Sequence, residues 1–216
     1  MVSNHAELKD TWDRVYEQFG AFWGLRPTSS LVSLLNNWKV PAGRALDFGC
    51  GTGRNAIYAA SKGWMVTAVD FSGEAIRIAK KLTNGTLIAR IKYTSSTELR
   101  HIEEYNLVMC CGVLHGYDKK EAAQICVALR KSLYPGGLFL TSFFCRCEDS
   151  QYLNNFQPIV CGTEKFMVWP HSWQDFANWV YPSTVQILKH GLSPEQHGYE
   201  GAHFHHVVHC VARIES

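Results

Sequence analysis

Three glycines carry the strongest indication of chemistry in this chain. Gly49, Gly51 and Gly53 fall within five residues, directly after the apolar segment 44–48. Glycine costs folding entropy, so such a cluster indicates a turn that needs positive φ or a backbone that must approach a bound molecule. Ligands of parallel sheets bind where a strand ends and a helix begins, and free amides there favour negative charge. The loop therefore predicts a ligand site.

The loop departs from two common phosphate-binding patterns. The pattern G-x-G-x-x-G read from Gly49 needs glycine at position 54, where the chain has Arg54, and no Gly-Lys-Ser/Thr follows. The chain reads D-x-G-x-G-x-G instead, beginning at Asp47. Asp70 ends the next predicted strand, where its carboxylate can accept hydrogen bonds from both hydroxyls of a ribose.

Strand-like and helix-like segments alternate around this loop, which is typical of a parallel sheet covered by helices. Apolar runs predict strands at residues 44–48, 65–70, 87–93, 106–114, 138–144, 184–191 and 205–214. Apolar periodicity and capping residues predict helices at residues 8–19, 28–38, 55–62, 72–82, 118–133 and 172–180. No internal repeat or low-complexity linker interrupts the chain, so we expect one domain over residues 1–216.

Composition excludes several classes of partner. The 216 residues carry a formal net charge of +2, which gives no electrostatic case for nucleic acid or an anionic membrane. The longest near-apolar stretch, residues 138–145, is far shorter than the roughly 18–20 residues that cross a bilayer. The first twenty residues do not resemble a secretory signal. We therefore expect a cytoplasmic protein whose eight cysteines are mostly buried free thiols.

Two segments extend this pattern into a family resemblance. Residues 46–72, LDFGCGTGRNAIYAASKGWMVTAVDFS, resemble the first two motifs of the class I S-adenosylmethionine-dependent methyltransferases. Gly-Arg-Asn at residues 53–55 is especially similar to the small tellurite-resistance and thiopurine-type methyltransferases. The likeness continues through residues 105–144, which contain a Val-Leu-His turn and a Pro-Gly-Gly turn. It covers roughly residues 45–144 and fades beyond them.

The resemblance implies an α/β fold with a doubly wound, mostly parallel seven-stranded sheet, helices on both faces and an antiparallel last strand. It divides the single domain into an N-terminal helical lid at residues 1–40, a cofactor-binding core at 44–144, and a substrate-side insertion with the last strands at 145–216. It also implies transfer of a methyl group from S-adenosyl-L-methionine to a small-molecule acceptor.

The resemblance further implies which residues meet the cofactor. Asp47 would meet its ammonium directly or through water, and Asp70 would hold the ribose hydroxyls. Such enzymes often carry an aspartate for the adenine amino group after the third strand, whereas this chain has serines near position 95, so a serine is the expected substitute. The full expected set is Asp47, Gly49, Cys50, Gly51, Gly53, Asn55, Asp70, Phe71, Ser95, Ser96, Cys111, Tyr16 and Trp23.

Methyl transfer is an in-line displacement at an activated sulfonium, so alignment is the enzyme's main contribution. A hydroxyl or ammonium nucleophile benefits from a base, and a thiol needs little help. His115, just past the fourth strand, is the best candidate base; the alternative is a structural histidine. Tyr16 and Trp23 either provide aromatic walls for a sulfonium or pack a helix onto the sheet.

The C-terminal part is rich in histidine and tryptophan. In a strand, His203, His205 and His209 share one face, which fits a metal site less well than histidines that face solvent or a pocket. We therefore predict no metal. The tryptophans of the segment before them fit an aromatic substrate pocket and core packing equally well; they are Trp169, Trp173 and Trp179.

The sequence leaves two other functional classes open. One is a nucleic-acid or protein methyltransferase, against which the near-neutral charge and the lack of an Asn/Asp-Pro-Pro-Tyr motif after the fourth strand both argue. The other is a cofactor-binding protein without catalysis. The acceptor and the oligomeric state are not indicated by any motif.

Overall fold

A mixed β-sheet forms the centre of the fold. The computed structural model describes residues 5–38, 40–96, 104–145, 159–161, 164–166, 168–195 and 203–215. The strands are β1 (Arg44–Phe48), β2 (Met65–Asp70), β3 (Ile91–Ser95), β4 (Tyr105–Cys111), β5 (Leu133–Phe144), β6 (Ile159–Cys161), β7 (Glu164–Phe166), β8 (Ser183–Glu195) and β9 (His203–Ile214). The helices are α1 (His5–Phe19), α2 (Ser29–Asn37), α3 (Arg54–Ser61), α4 (Gly73–Leu82), α5 (Lys119–Lys131) and α6 (Trp173–Trp179).

Seven of these strands make one sheet in the order β3-β2-β1-β4-β5-β9-β8. Strands β1 to β5 are parallel, and β9 lies antiparallel between β5 and β8. The predicted fold class, a doubly wound seven-stranded sheet with an antiparallel last strand, is therefore confirmed. The order reverses between β1 and β4, and ligands of open α/β sheets bind at the carboxyl ends of the strands beside such a reversal.

Both faces of the sheet are covered, which explains the nearly continuous apolar strands. On one face Leu46 and Phe139 pack with Leu129 of α5 and Phe176 of α6. On the other face the core is formed with α2 and α3, and its members include Leu31, Ala45, Ala56, Leu107 and Leu138. No helix within the described ranges has both the length and the apolar character to cross a membrane.

Side-chain caps fix the starts of two core helices. The hydroxyl of Ser72 accepts the amide of Ala75 at 3.0 Å and begins α4, as the sequence predicts. Asp118 does the same for α5 by accepting the amide of Glu121 at 2.8 Å. Both caps satisfy amides that have no partner inside the helix.

The prediction of a strand over residues 87–93 is wrong in its first half. Residues 85–90 form a 3-10 helix that begins at Gly85, with φ 57°. The residues of this helix are exposed, apart from the half-buried Leu87. The segment therefore lies outside the sheet. Pairing with β2 begins only at Ile91, opposite Val66.

Two strand ends in the core also differ from their predicted positions. Strand β4 stops at Cys111, because Gly112 has φ 77° and a 3-10 turn follows at Leu114–Gly116. Strand β5 begins at Leu133, ahead of the Pro-Gly-Gly turn. Leu133 pairs with Tyr105 and Leu138 with Leu107, so the turn forms a bulge inside the strand.

The fold contains one pair of strands that the sequence does not indicate. Strands β6 and β7 form a small antiparallel hairpin in the segment after β5. The last two strands are also longer than predicted, since β8 and β9 pair from Ser183 opposite Ile214 to Glu195 opposite His203.

Candidate functional site

A cavity of about 850 Å³ lies at the carboxyl ends of the central strands. Its lining includes the glycine loop after β1, the end of β2 at Asp70, the turn after β4 and the end of β5. The N-terminal segment, from α1 to the start of α2, provides the opposite wall. The cavity therefore occupies the place that the strand order marks for a ligand.

The glycine loop owes its composition partly to its own packing. Gly49 has φ 68°, and a Cβ there would overlap the Cγ2 methyl of Val113. Gly53 has φ 84° and is the N-cap of α3, where a Cβ would lie 2.8 Å from the hydroxyl of Tyr93. Gly49 and Gly51 line the cavity, whereas Gly53 is not among its lining residues. Backbone geometry and packing therefore require glycine at position 53, apart from any contact with a ligand.

Asp70 ties the glycine loop to the end of β2. One carboxylate oxygen accepts the amide of Gly51 at 2.7 Å, and the other accepts the amide of Ser72 at 2.9 Å. Burial raises the pKa of Asp70 to about 6, and these two hydrogen bonds oppose the increase. Each oxygen keeps a second lone pair, so the carboxylate can still accept hydrogen bonds from a molecule in the cavity.

Asp47 is a buried carboxyl group beneath the same loop. Only 1% of the residue is exposed, and its Oδ2 has no hydrogen-bond partner among the described residues. Burial raises the pKa of Asp47 to about 7, and a backbone hydrogen bond from Ala56 opposes the increase. A buried polar oxygen without a partner costs folding free energy, so this position favours an incoming donor or cation.

The N-terminal wall is aromatic. The rings of Trp12 and Tyr16 lie 5.7 Å apart between centroids, and those of Trp12 and Trp23 lie 6.1 Å apart. All three residues line the cavity. The Tyr16 hydroxyl lies against the loop, since a Cβ on Gly51 would come within 2.9 Å of it. Burial, followed by the charge of Asp70, raises the pKa of Tyr16.

Helix α1 is attached to the core by Asp13. Its Oδ1 accepts the hydroxyl of Ser72 at 2.6 Å and the amide of Glu74 at 3.1 Å, at the N-terminus of α4. Burial of Asp13 is outweighed by hydrogen bonds from Lys9, Ser72 and Glu74, and the pKa of this carboxyl is lowered.

Arg14, the residue after Asp13, attaches α1 to the hairpin of β6 and β7. Arg14 donates to Glu164 of β7 through Nε at 2.8 Å and through a second guanidinium nitrogen at 3.2 Å. Arg54 of α3 holds the following segment by donating to the carbonyl of Trp23 at 2.8 Å. The N-terminal wall is thus joined to the start of α4, to the hairpin and to α3.

His115, the candidate base, has a structural setting. Its ring stacks on Phe144 with centroids 3.9 Å apart, and the amide of Phe144 donates to its Nδ1 at 3.4 Å. Its carbonyl accepts the amide of Trp169 at 2.8 Å. With Nδ1 acting as acceptor, a neutral ring carries its proton on Nε2. His115 lines the cavity as a hydrogen-bond donor in this tautomer.

The remaining predicted cofactor residues divide into two groups. Cys50, Asn55, Phe71 and Cys111 line the cavity, and Asn55 also accepts the amide of Thr28 at 2.9 Å. Ser95 and Ser96 are not among the lining residues. They lie beside it, since the hydroxyl of Ser95 donates to the carbonyl of Phe71 at 3.4 Å and the amide of Ser96 donates to the carbonyl of Asp70 at 3.0 Å.

Sequence reasoning missed the polar residues at the β8–β9 end of the cavity. Ser30, Ser142 and Lys189 are brought to His209 by the fold: the Oγ of Ser30 lies 2.8 Å from His209 Nδ1, and Ser142 and Lys189 are the strand partners of His209. Strand register places Ser142 and Lys189 beside His209, and packing of α2 places Ser30 there, so no spacing in the sequence reports the group. Side chains of the other predicted histidines, His203, His205 and His206, lie outside the described residues. Within those described, no group of three His, Cys, Asp or Glu side chains could hold a metal ion.

The C-terminal aromatic segment packs into the core. Trp173 and Trp179 lie against the cluster that contains Phe176, and neither lines the cavity. His171 is buried, and its Nε2 lies 3.1 Å from the carbonyls of Leu114 and Tyr117. These two contacts hold the turn after β4 in place. Of the two interpretations for the tryptophans, the structure supports core packing for this pair.

Asn106, near the start of β4, has a clear structural role. The Oδ1 of Asn106 accepts the amide of Arg44 at 2.9 Å. An amide oxygen performs this backbone contact as well as a carboxylate, so β1 and β4 remain joined at their starts.

Comparisons with known proteins agree with this geometry. The family model described as "Methyltransferase domain" matches residues 45–137. The ubiquinone biosynthesis O-methyltransferase of Vibrio cholerae is 29% identical over 169 residues, which are 74% of this chain and 64% of that protein. A probable thiol methyltransferase of Arabidopsis thaliana is 27% identical over 140 residues, 62% of this chain and 61% of that protein. The chain therefore spans less than two thirds of the length of these relatives.

Solved structures share the fold at lower identity. Magnesium protoporphyrin IX methyltransferase of Synechocystis, determined with bound S-adenosylmethionine, has a TM-score of 0.63 at 16% identity, covering 98% of this chain and 92% of that one. A structure from echinomycin biosynthesis, concerning conversion of a disulfide bond into a thioacetal group, has a TM-score of 0.68 at 20% identity, covering 96% and 92%.

Proposed function

We propose that the chain is a class I S-adenosylmethionine-dependent methyltransferase, which transfers a methyl group from S-adenosyl-L-methionine to a small-molecule acceptor. The match to the methyltransferase domain model and the methyltransferases among its relatives support this proposal. The relatives named above are an O-methyltransferase and a thiol methyltransferase. A hydroxyl oxygen or a thiol sulfur is accordingly the acceptor atom that we propose for this chain.

The observation that carries the proposal is the arrangement of two carboxyl groups around the glycine loop. Asp70 faces the cavity and holds the amide of Gly51, and Asp47 keeps a buried oxygen without a partner among the described residues. The cofactor presents ribose hydroxyls and an ammonium, which are the two kinds of donor that these oxygens would accept. The residues of this site therefore fit S-adenosyl-L-methionine.

Each wall has a proposed role. Asp70 would accept the ribose hydroxyls, and Asp47 the ammonium. The aromatic rings of Tyr16 and Trp23 would shield a positive charge from water and attract it through their faces. We propose that the remaining contacts come from residues of the loop, the strand ends and the segment after β3, namely Gly49, Cys50, Gly51, Gly53, Asn55, Phe71, Ser95, Ser96 and Cys111.

When bound, S-adenosyl-L-methionine supplies a methyl group on a sulfonium, which is already activated for displacement. The protein has to orient the acceptor and exclude water. His115 would contribute a hydrogen bond from Nε2 to the acceptor, because its Nδ1 is occupied by the amide of Phe144. This role differs from that of a general base, whose removal typically costs about 10²–10⁴-fold in rate.

The proposal also includes the division of the chain and its cellular location. We propose that residues 1–216 act as one methyltransferase domain, with residues 1–40 as its lid, residues 44–144 as its cofactor-binding core and residues 145–216 on the acceptor side. We also propose a cytoplasmic location, for which the unbridged thiols of Cys50, Cys110, Cys111, Cys126 and Cys210 argue.

The test is a turnover assay with a panel of phenols, alcohols, thiols and amines. The purified chain is incubated with S-adenosylmethionine, and S-adenosylhomocysteine is quantified by mass spectrometry. We expect formation that depends on both the acceptor and the chain and that is lost in Asp70→Ala. Binding of S-adenosylhomocysteine without turnover on any member would contradict catalysis on this panel. No binding at all would contradict the cofactor assignment.

A further inference from the structure

The β8–β9 end of the cavity carries a row of polar side chains at one level of the sheet. Cys111 of β4 pairs with Ser142 of β5, Ser142 pairs with His209 of β9, and His209 pairs with Lys189 of β8. All four residues line the cavity. Directly paired residues project to the same face of a sheet, so a thiol, a hydroxyl, an imidazole and an ammonium stand side by side.

Positive charge is concentrated at this end. Lys189 and Arg54 both line the cavity, and both charges act on His209. Burial, followed by these two charges, lowers the pKa of His209 to about 4, so the ring is neutral near pH 7. Asp70 is the one carboxylate among the described residues that line the cavity. It lies on β2, five strand positions from β8 or roughly 24 Å at the usual strand spacing.

An apolar surface lies beside this row. Phe144 and Val207 are partners across β5 and β9, two residues beyond Ser142 and His209, and both line the cavity. The ring of His115 covers one face of Phe144. A small molecule placed here would meet apolar side chains along its body and a positive, hydrogen-bonding row at its end.

We propose that Lys189, His209 and Ser142 bind an anionic oxygen group, such as a carboxylate, of the methyl acceptor. This inference rests on the function proposed above and names the acceptor class: a small, partly apolar molecule that carries an anionic group apart from the atom that is methylated. Lys189 pairs with the charge. Ser142 supplies a hydroxyl donor.

Ser30 gives His209 a defined part in this site. Its hydroxyl lies 2.8 Å from Nδ1 of the imidazole, and Ser30 is itself buried. When the hydroxyl donates to Nδ1, the neutral ring keeps its proton on Nε2. A bound anion selects this tautomer, since only Nε2–H can donate to it.

The carboxylate of the cofactor could bind at the same three residues. The experiment therefore tests acceptor-like carboxylates and the cofactor product separately. Binding of benzoate and phenylacetate, and of their neutral counterparts benzamide and phenylacetamide, is measured by NMR titration of the full chain with and without saturating S-adenosylhomocysteine. Binding of S-adenosylhomocysteine is measured separately by calorimetry. The variant is Lys189→Gln, and the matched control is Lys92→Gln, an exposed lysine on β3 at the opposite edge of the sheet.

We expect Lys189→Gln to weaken carboxylate binding about two- to fivefold, as for a charge pair near the surface, and to leave binding of both amides unchanged. Lys92→Gln should bind all four probes as the wild type does. Equal carboxylate affinity in Lys189→Gln and wild type would overturn the proposal, as would failure of the wild type to bind either carboxylate. Loss of S-adenosylhomocysteine affinity in Lys189→Gln would also overturn it, by assigning the lysine to the cofactor. Failure of the wild type to bind S-adenosylhomocysteine counts instead against the proposed function.

Discussion

The amide of Gly51 donates a 2.7 Å hydrogen bond to the carboxylate of Asp70. This bond joins the loop after β1 to the end of β2, so the two segments that border the cavity on this side hold each other in place. The same carboxylate accepts the amide of Ser72, which begins α4. One side chain therefore organises the loop, the strand end and a helix start.

Replacing Asp70 by asparagine should weaken S-adenosylhomocysteine binding by about 1.5–3 kcal/mol, or at least roughly tenfold, because hydrogen bonds to a charged acceptor are lost. Calorimetry measures the change. Asp118→Asn is the matched control, since Asp118 likewise accepts a backbone amide near the start of a helix but does not line the cavity. Equal affinity in Asp70→Asn and the wild type would remove Asp70 from the cofactor site.

Asp47 should make the unliganded protein less stable as the pH rises. Burial holds the pKa of this carboxyl at about 7, above its ordinary value of 3.8. Folding therefore takes up a proton between about pH 4 and pH 7, and the free energy of unfolding falls as the pH rises through that window. Asp70, with a pKa of about 6, acts in the same direction.

The measurement is urea denaturation of the wild type and Asp47→Asn at pH 4 and pH 8. We expect the variant to gain roughly 2–4 kcal/mol relative to the wild type between the two pH values, because it has no charge to bury. Comparing the two pH values cancels the effect of the substitution itself. A constant difference between variant and wild type would show that Asp47 is not buried as an acid.

Gly49→Ala should destabilise the protein through two separable effects. The left-handed φ of 68° costs about 1 kcal/mol, and overlap of the new Cβ with Val113 adds roughly 1–3 kcal/mol. Gly24→Ala is the control for the first effect, since Gly24 has φ 73° and a Cβ there would meet nothing within 4 Å. Chemical denaturation measures both.

A second substitution isolates the overlap. Val113→Ala removes the methyl group that a Cβ on Gly49 would meet, so the double variant Gly49→Ala/Val113→Ala should be more stable than the two single effects predict. A double-mutant cycle gives the coupling. Strictly additive effects would mean that φ alone requires glycine at this position.

Arg14→Gln should change ligand exchange far more than stability. The ion pair with Glu164 is exposed, and ion pairs of this kind contribute little to stability. It nevertheless joins α1 to the hairpin, so its loss should raise the dissociation rate of S-adenosylhomocysteine several-fold in stopped-flow measurements. Arg77→Gln is the control, because Arg77 pairs with Glu74 within α4. Equal dissociation rates in the two variants would argue against a lid.

Much of the core follows from local signals in the sequence. Strands β1 and β2 have the predicted bounds. Each is a short apolar run that is covered on both faces of the sheet and followed directly by a loop. Ser72 caps α4 as predicted, since a cap is a contact between neighbours in sequence. Asp70 lies on the cavity as expected, because strand order alone carries the end of β2 there.

The rest depends on contacts that local patterns do not report. Residues 87–90 have a strand-like composition, but no strand pairs with them, so they form a 3-10 helix. Ser142, His209 and Lys189 meet through the pairing of β5 with β9 and of β9 with β8, and no local pattern reports this register. The tautomer of His115 depends on an amide 29 residues away, and only the folded chain shows that its Nδ1 is occupied.

Asp13 and Arg14 are adjacent on α1, yet they anchor that helix to two separate parts of the fold, the start of α4 and the hairpin of β6 and β7. A helix held in this way leaves both anchoring points together when the cavity opens, because its backbone is rigid over one turn. Both products would then leave during the same opening event. Turnover should accordingly begin with a burst, in which the first methyl group is transferred faster than any later one.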